Sequence, residues 1–165
     1  MTMETSPNFP QPDQSSTVLA VNLIDIDCIS LSRILSGSRW VVKKVDNCRQ
    51  ALTCSGEAPV SVVLCEARMP DGSWDTLMDG LRDRPAPPAL IVASRMADER
   101  LWGEVLNLGG YDVLATPFDR TEVLRALFLA WSTRERTSLG KRMVNHPSVA
   151  GGGAFAVAGL GSSAG

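Results

Sequence analysis

Three carboxylates stand where short apolar runs end: Asp25 and Asp27 follow Val18–Ile24, and Glu66 follows Val60–Cys65. Carboxylates gathered at such ends can hold a cation or attack an electrophile. Without a cation nearby they repel one another and raise at least one pKa. Ala93-Ser94 closes a further run, Thr116-Pro117-Phe118 closes another, and Met69-Pro70-Asp71-Gly72 lies just past Glu66. The remaining chemically suited side chains offer less. Cys28, Cys48, Cys54 and Cys65 lack the paired short spacing of a zinc site, and the one histidine, His146, lies in a polar tail. Cys65 sits within an apolar run and the other three fall in helix-like stretches. They read as free thiols packed as small hydrophobes, not as disulfides.

These residues need elements to position them, and the chain supplies two alternating periods. Val18–Ile24, Trp40–Val45, Val60–Cys65, Ala89–Ala93 and Tyr111–Ala115 read as strands, three of them nearly continuous in apolar residues. Such runs suit strands buried on both faces. Between them, Leu31, Ile34 and Leu35 share a helix face, as do Leu101, Val105 and Leu108, and then Val123, Leu124 and Leu127. Expected helix starts are capped by Asp27, by Asp46 or Asn47, by Ser73, and by Asp119 or Arg120. The stops are Gly37 and Gly109-Gly110. Five βα units with short connections predict an α/β protein with a flavodoxin-like (βα)5 doubly wound parallel sheet, strand order 2-1-3-4-5. Its functional crevice opens at the carboxyl ends of the strands.

Composition limits the partners. Across 165 residues, 16 Lys and Arg balance 18 Asp and Glu for a net charge of −2, which gives no electrostatic reason to expect nucleic acid or an acidic membrane. The apolar runs are too short to span a bilayer, and the polar N-terminus does not read as a secretory leader, so a cytoplasmic protein is expected. Residues 1–16 are expected to be a disordered segment, 17–132 a single domain, and 133–165 a flexible tail rich in Gly, Ala and Ser. The stretch from Arg134 to Val144 could instead prolong the last helix.

In this order, at these strand ends, the motifs resemble the receiver domain of response regulators in two-component signalling. The likeness covers the whole expected domain. Met69-Pro70 past the third strand and Pro117-Phe118 after the fifth carry it, supported by Gly109-Gly110 and Asp25. The runs Ala97–Trp102 and Leu108–Ala115 are similar to those of certain stand-alone bacterial receivers. The resemblance implies phosphoryl transfer from a kinase histidine to an aspartate ending the third strand. Mg²⁺ held by an acidic pair assists, with a lysine and a hydroxyl on the phosphoryl oxygens.

Position by position the match is incomplete. The phosphoacceptor position is Glu66, and the acidic pair reads Asp25-Ile26. Ala93 stands at the hydroxyl position with Ser94 one residue late, Thr116 stands at the lysine position, and Val113 at the aromatic switch position. Glu66 extends its oxygens about 1.5 Å further than an aspartate. A lost oxyanion-type donor typically costs about 2.7–4 kcal/mol of barrier. The expectation is therefore an atypical receiver that is not an enzyme, with Glu66 as a fixed charge in a phosphorylation-independent interaction module. No cofactor is expected, the alternative being a Mg²⁺ held by Asp25 and Glu66. Asp27 could replace the missing ligand, but as a helix cap its side chain would be occupied. Arg68 either folds back onto Glu66 or Asp25 or stays solvated. The expected partner is a protein, a histidine kinase or another regulator, on the face formed by the fourth helix, fifth strand and fifth helix; a homodimer is a further expectation. Trp40, Trp74 and Trp131 read as packing anchors, and Trp102 as part of that face. The alternative functions are a working phosphoacceptor of reduced efficiency and a flavodoxin-like cofactor binder. The second is disfavoured because no loop is rich enough in Gly, Ser or Thr to cradle a phosphate.

Overall fold

The computed structural model describes residues 9, 10, 12 and 14–144. In chain order the elements are β1 (Ser16–Val21), α1 (Asp25–Ile34), β2 (Trp40–Val45), α2 (Cys48–Glu57), β3 (Val62–Glu66), β4 (Arg68–Met69), β5 (Gly72–Ser73), α3 (Trp74–Arg82), β6 (Ala89–Ser94), α4 (Glu99–Asn107), β7 (Asp112–Ala115) and α5 (Arg120–Val144). The main sheet runs β2-β1-β3-β6-β7 with every pair parallel. This is the expected order, with one small antiparallel ladder, β4–β5, inserted after β3.

Alternation along the strands builds a core on each face. Val18, Ala20, Val62, Leu64 and Ile91 pack with Leu31 and Ile34 of α1 and Val123 and Leu127 of α5. Leu19, Val21, Val63, Cys65 and Val92 face the other way, against Ala51, Leu77, Leu81 and Val105 of α2, α3 and α4. Both faces of the central strands are dry, which is why their sequence is apolar without a period of two. Each fully buried Val or Leu contributes about 1.5–3 kcal/mol. The four cysteines are free, Cys48 and Cys65 among the buried residues. No helix is long and apolar enough to cross a membrane among the described residues.

Side-chain caps form at the starts of α2, α4 and α5, those by Asn47 and Asp119 as expected, and not at α1 or α3. Asn47 Oδ1 accepts from Gln50 N–H at 2.9 Å, Asp98 Oδ1 from Leu101 N–H at 2.9 Å, and Asp119 Oδ2 from Glu122 N–H at 3.0 Å. Ser73 precedes α3 as expected, although its hydroxyl makes no capping bond. Gly37 (φ 78°) and Gly109 (φ 102°) take the left-handed conformation at the ends of α1 and α4. The first strand, however, stops at Val21. Asn22 turns the chain with φ 58°, and α1 begins at Asp25 with Ile24 at its cap position and no side-chain cap. The apolar Leu23-Ile24 had extended the expected strand; a left-handed Asn ends it. Asp27 therefore lies within α1, and its carboxylate is not engaged as a cap.

The α2 start has a second, remote cap. Asp71, in the β4–β5 turn, accepts from Cys48 N–H at 2.8 Å and Arg49 N–H at 3.0 Å, and these bonds hold its carboxyl below the usual range. A lowered folded pKa contributes stability that is present above the unfolded value and lost as pH falls through the folded one. Asp71→Ala should thus lower the urea midpoint at pH 7, with the difference from wild type shrinking in acid; a pH-independent difference would reject the charge-assisted cap. In α4, a Cβ on Gly103 would meet no atom of the described residues within 4 Å. Gly103→Ala should raise the thermal midpoint, by about 0.5–1 kcal/mol of stability, because it removes unfolded-state freedom without a clash.

Contacts divide the chain into two units, Met1–Arg134 and Glu135–Gly165. In its described part the second is the continuation of α5 to Val144, the helical alternative for that stretch. Residues 145–165 of the expected tail lie outside the described residues. Within 1–16, expected to lack order, Pro12 is buried, Ser16 opens β1, and Phe9 stacks on Phe128 at 5.9 Å between ring centroids.

Candidate functional site

The carboxyl ends of β1, β3, β6 and β7 form the crevice. Glu66 is the last residue of β3, half-buried, and pairs in register with Ala93 of β6. Ala93 is fully buried, so a methyl stands at the expected hydroxyl position. Ser94 Oγ accepts from Met96 N–H at 3.0 Å, which commits that hydroxyl to the turn before α4. Thr116 follows β7, donates its N–H to Ser94 O at 3.1 Å, and buries its Oγ1 without a hydrogen-bond partner among the described residues. The Thr116–Pro117 bond is cis, and Phe118 packs against the α1–α5 core. Met69 is buried with its Sδ 3.6 Å from Cys48 Sγ, while Pro70 is exposed.

The acidic residues sort differently from expectation. Asp25 lies outside the crevice. Its side chain is 87% exposed and pairs with Lys44 Nζ at 2.6 Å, which holds its carboxyl below the usual range. Among the described residues Asp27 is the buried acid at 2% exposure, with Oδ2 3.7 Å from a guanidinium nitrogen of Arg95 and no hydrogen bond to that oxygen. Burial pushes the Glu66 carboxyl up from its ordinary value, the Asp27 charge adds to the rise, and Arg95 offsets part of it. The carboxylate pair is therefore Asp27 and Glu66 in place of Asp25 and Glu66, and its cation is Arg95.

Arg68 does not fill that role. It is exposed and forms no ion pair among the described residues, while its carbonyl accepts from Asn22 Nδ2 at 3.1 Å. Asp27 was legible in principle: it precedes Leu31 by four residues and Ile34 by seven, on the core-facing stripe of α1. Arg95 carried no comparable signal, being one exposed cation just past a strand end.

A Mg²⁺ of the receiver type does not fit these residues. The positions directly after β1 are Asn22, tied to Arg68, and Leu23, buried at 3%. Arg95 already stands against Asp27, and no three His, Cys, Asp or Glu side chains converge among the described residues. An oxygen-seeking dication would meet one shared acid pair and a guanidinium. On the adjoining face, Trp102 is 51% and Leu106 36% exposed on α4, and Val113 is half-buried against the α2–α4 core. Trp40 and Trp74 are buried and Trp131 packs partly into the core, as anchors should.

The sequence profile of the response regulator receiver domain matches residues 25–128, and the chain belongs to that family. The chain resembles the signal receiver domain of an HD domain-containing protein from Pseudomonas fluorescens at 22% identity and TM-score 0.68, covering 79% of this chain and 97% of that one. A receiver domain of a putative LuxO repressor protein from Vibrio parahaemolyticus aligns at 17% identity and TM-score 0.68, covering 75% and 95%. The beryllofluoride-activated NtrC4 receiver domain, solved as a dimer, aligns at 22% identity and TM-score 0.65, covering 72% and 98%. No curated protein matches the chain.

Proposed function

We propose that this receiver is a phosphorylation-independent interaction module of the cytoplasm, with the Asp27–Glu66–Arg95 cluster standing where a phosphoryl group and its metal would otherwise sit. The observation that carries the reading is the Arg95 guanidinium 3.7 Å from a carboxylate buried at 2% exposure. That pair supplies an internal cation, so the folded state needs no external one. Thr116 at the lysine position offers a hydroxyl and no charge to developing phosphoryl oxygens. Glu66 contributes a standing negative charge in place of one gained on phosphorylation. Residues 17–132 carry the module. Its partner is a protein, a histidine kinase or another regulator, docked on α4, β7 and α5 with Trp102 and Leu106 as apolar anchors.

The chain should acquire no phosphate from acetyl phosphate or from a phosphohistidine donor at neutral pH with Mg²⁺. Intact-mass spectrometry reads the result directly. An adduct of one phosphate that disappears in Glu66→Ala would overturn the proposal and establish a working acceptor. Amide NMR titration with Mg²⁺ and then beryllofluoride should leave the resonances of Glu66 and Thr116 unmoved.

A further inference from the structure

Three large apolar side chains sit in water at one corner of the molecule, away from the α4 face. Ile24 is 47%, Ile26 67% and Ile29 51% exposed, the last two on α1. Leu31 and Ile34 of the same helix are buried, with Leu35 just beyond its end. At about 100° per residue, the direction opposite these core contacts falls on Ile29. Arg33 and Asp25, each four residues away, lie one turn to either side of it on the same solvent face. Cys28, Ile29, Ser32 and Val42 line a shallow groove of about 440 Å³ between α1 and β2. Exposed apolar clusters of this kind mark docking surfaces.

We propose that this face docks a second copy of the chain: two α1 helices pack antiparallel about a two-fold axis passing near Ile29. The charge pattern selects this occupant. Antiparallel pairing centred on Ile29 sets residue 25 of one copy level with residue 33 of the other, twice over. Asp25 lies in the first turn of α1 and Arg33 in the last, so each contact brings opposite charges together. Arg33 has no ion-pair partner among the described residues. Lys44 engages Asp25 Oδ1, and the second carboxylate oxygen remains for Arg33 of the other copy. Ser32 flanks Ile29 on the groove side and keeps the seam low enough for Ile29 to meet Ile29. The surface is thus self-complementary, as an isologous interface requires. Two helices of ten residues bury less than the roughly 1,200 Å² of stable complexes, so the association is reversible and concentration-dependent. It stands whether or not Glu66 accepts phosphate.

Sedimentation velocity on the full chain, from about 10 µM to about 1 mM, should show a monomer–dimer equilibrium. Ile29→Glu should weaken it at least about tenfold while the far-ultraviolet circular dichroism stays native. Asp25→Arg and Arg33→Glu should each fail to self-associate, because each places like charges at both contacts. Mixed in equal amounts they should dimerise, since both contacts again join opposite charges. One then sets the introduced arginine against the introduced glutamate, and the other sets the native Asp25 against the native Arg33. Restoration by mixing separates a specific pairing from a general loss of surface charge. The proposal is overturned by a wild type that stays monomeric to about 1 mM. It is equally overturned by a dimer that Ile29→Glu leaves intact and Trp102→Ala abolishes, or by a mixture that remains monomeric.

Discussion

Arg95→Gln is expected to lower the unfolding free energy at pH 7 by about 1–2 kcal/mol. Asp27 is 2% exposed and Arg95 is the cation facing it at 3.7 Å. Breaking a fully buried pair costs about 3–5 kcal/mol, because the surviving charge is stranded in a poor solvent. The Arg95 side chain is 58% exposed, so water screens its field and the smaller figure applies. Glu66 decides the pH dependence. Its raised carboxyl pKa means that folding binds protons more tightly there than the unfolded chain does. That contribution to stability is complete below the unfolded pKa and is lost as pH rises through the folded one.

Glu66→Gln should therefore raise the urea midpoint at pH 7 and flatten the profile across the acidic range. With only one carboxylate left, removing Arg95 should then cost less, and a double-mutant cycle should give a coupling of at least about 0.5 kcal/mol. Urea melts of the four proteins at several pH values test this. Additive effects, or an Arg95→Gln protein as stable as wild type, would show that Arg95 does not hold the pair together.

Gly110→Ala should cost about 2–3 kcal/mol. A Cβ there would fall 2.3 Å from Val105 Cγ1 and 3.0 Å from the Val105 carbonyl oxygen. Val105 is fully buried, and its carbonyl accepts the Gly110 N–H at 2.8 Å. A rotamer change could relieve the first contact. The second involves backbone already committed to closing α4, so the helix end must move. Because α4 carries Trp102 and Leu106, partner binding should weaken along with stability. Thermal or urea denaturation of Gly110→Ala beside Gly103→Ala provides the control. The two substitutions add the same methyl to the same region, one into a filled space and one into an open one. Equal effects would mean that the close contacts with Val105 do not set the cost at Gly110.

Much of the architecture lay in local patterns. The apolar runs of β3 and β6 announce strands covered on both faces, because such strands leave no side for polar residues. Asn47, Asp119, Gly37 and Gly109 act through bonds and dihedrals within a few residues, so their roles follow from residue type and position. Five βα units implied a parallel sheet, and the commonest order for such a sheet is the one observed. Met69-Pro70 and Pro117-Phe118 placed the crevice and the family resemblance.

The charge arrangement within the crevice depended on the tertiary structure. Asp25 and Asp27 are two residues apart and chemically alike, yet about 200° separates them around a helix. Whether the chain was still a strand or already α1 at that point decided which of them faced inward. That turned on one left-handed residue, Asn22, which an apolar run could not reveal. Once α1 begins at Asp25, its first carboxylate meets Lys44 across the sheet edge and its second enters the core-facing stripe. Arg95 reaches Asp27 across 68 residues of sequence, and Asp71 reaches the start of α2 across 23 and 22. The sequence thus determined the five main strands, the helices between them and their order, but not the β4–β5 ladder or the point where β1 gives way to α1. Folding alone decided which charges meet at the strand ends, because a charge pair depends on distances between side chains far apart in the chain, and no local period encodes those.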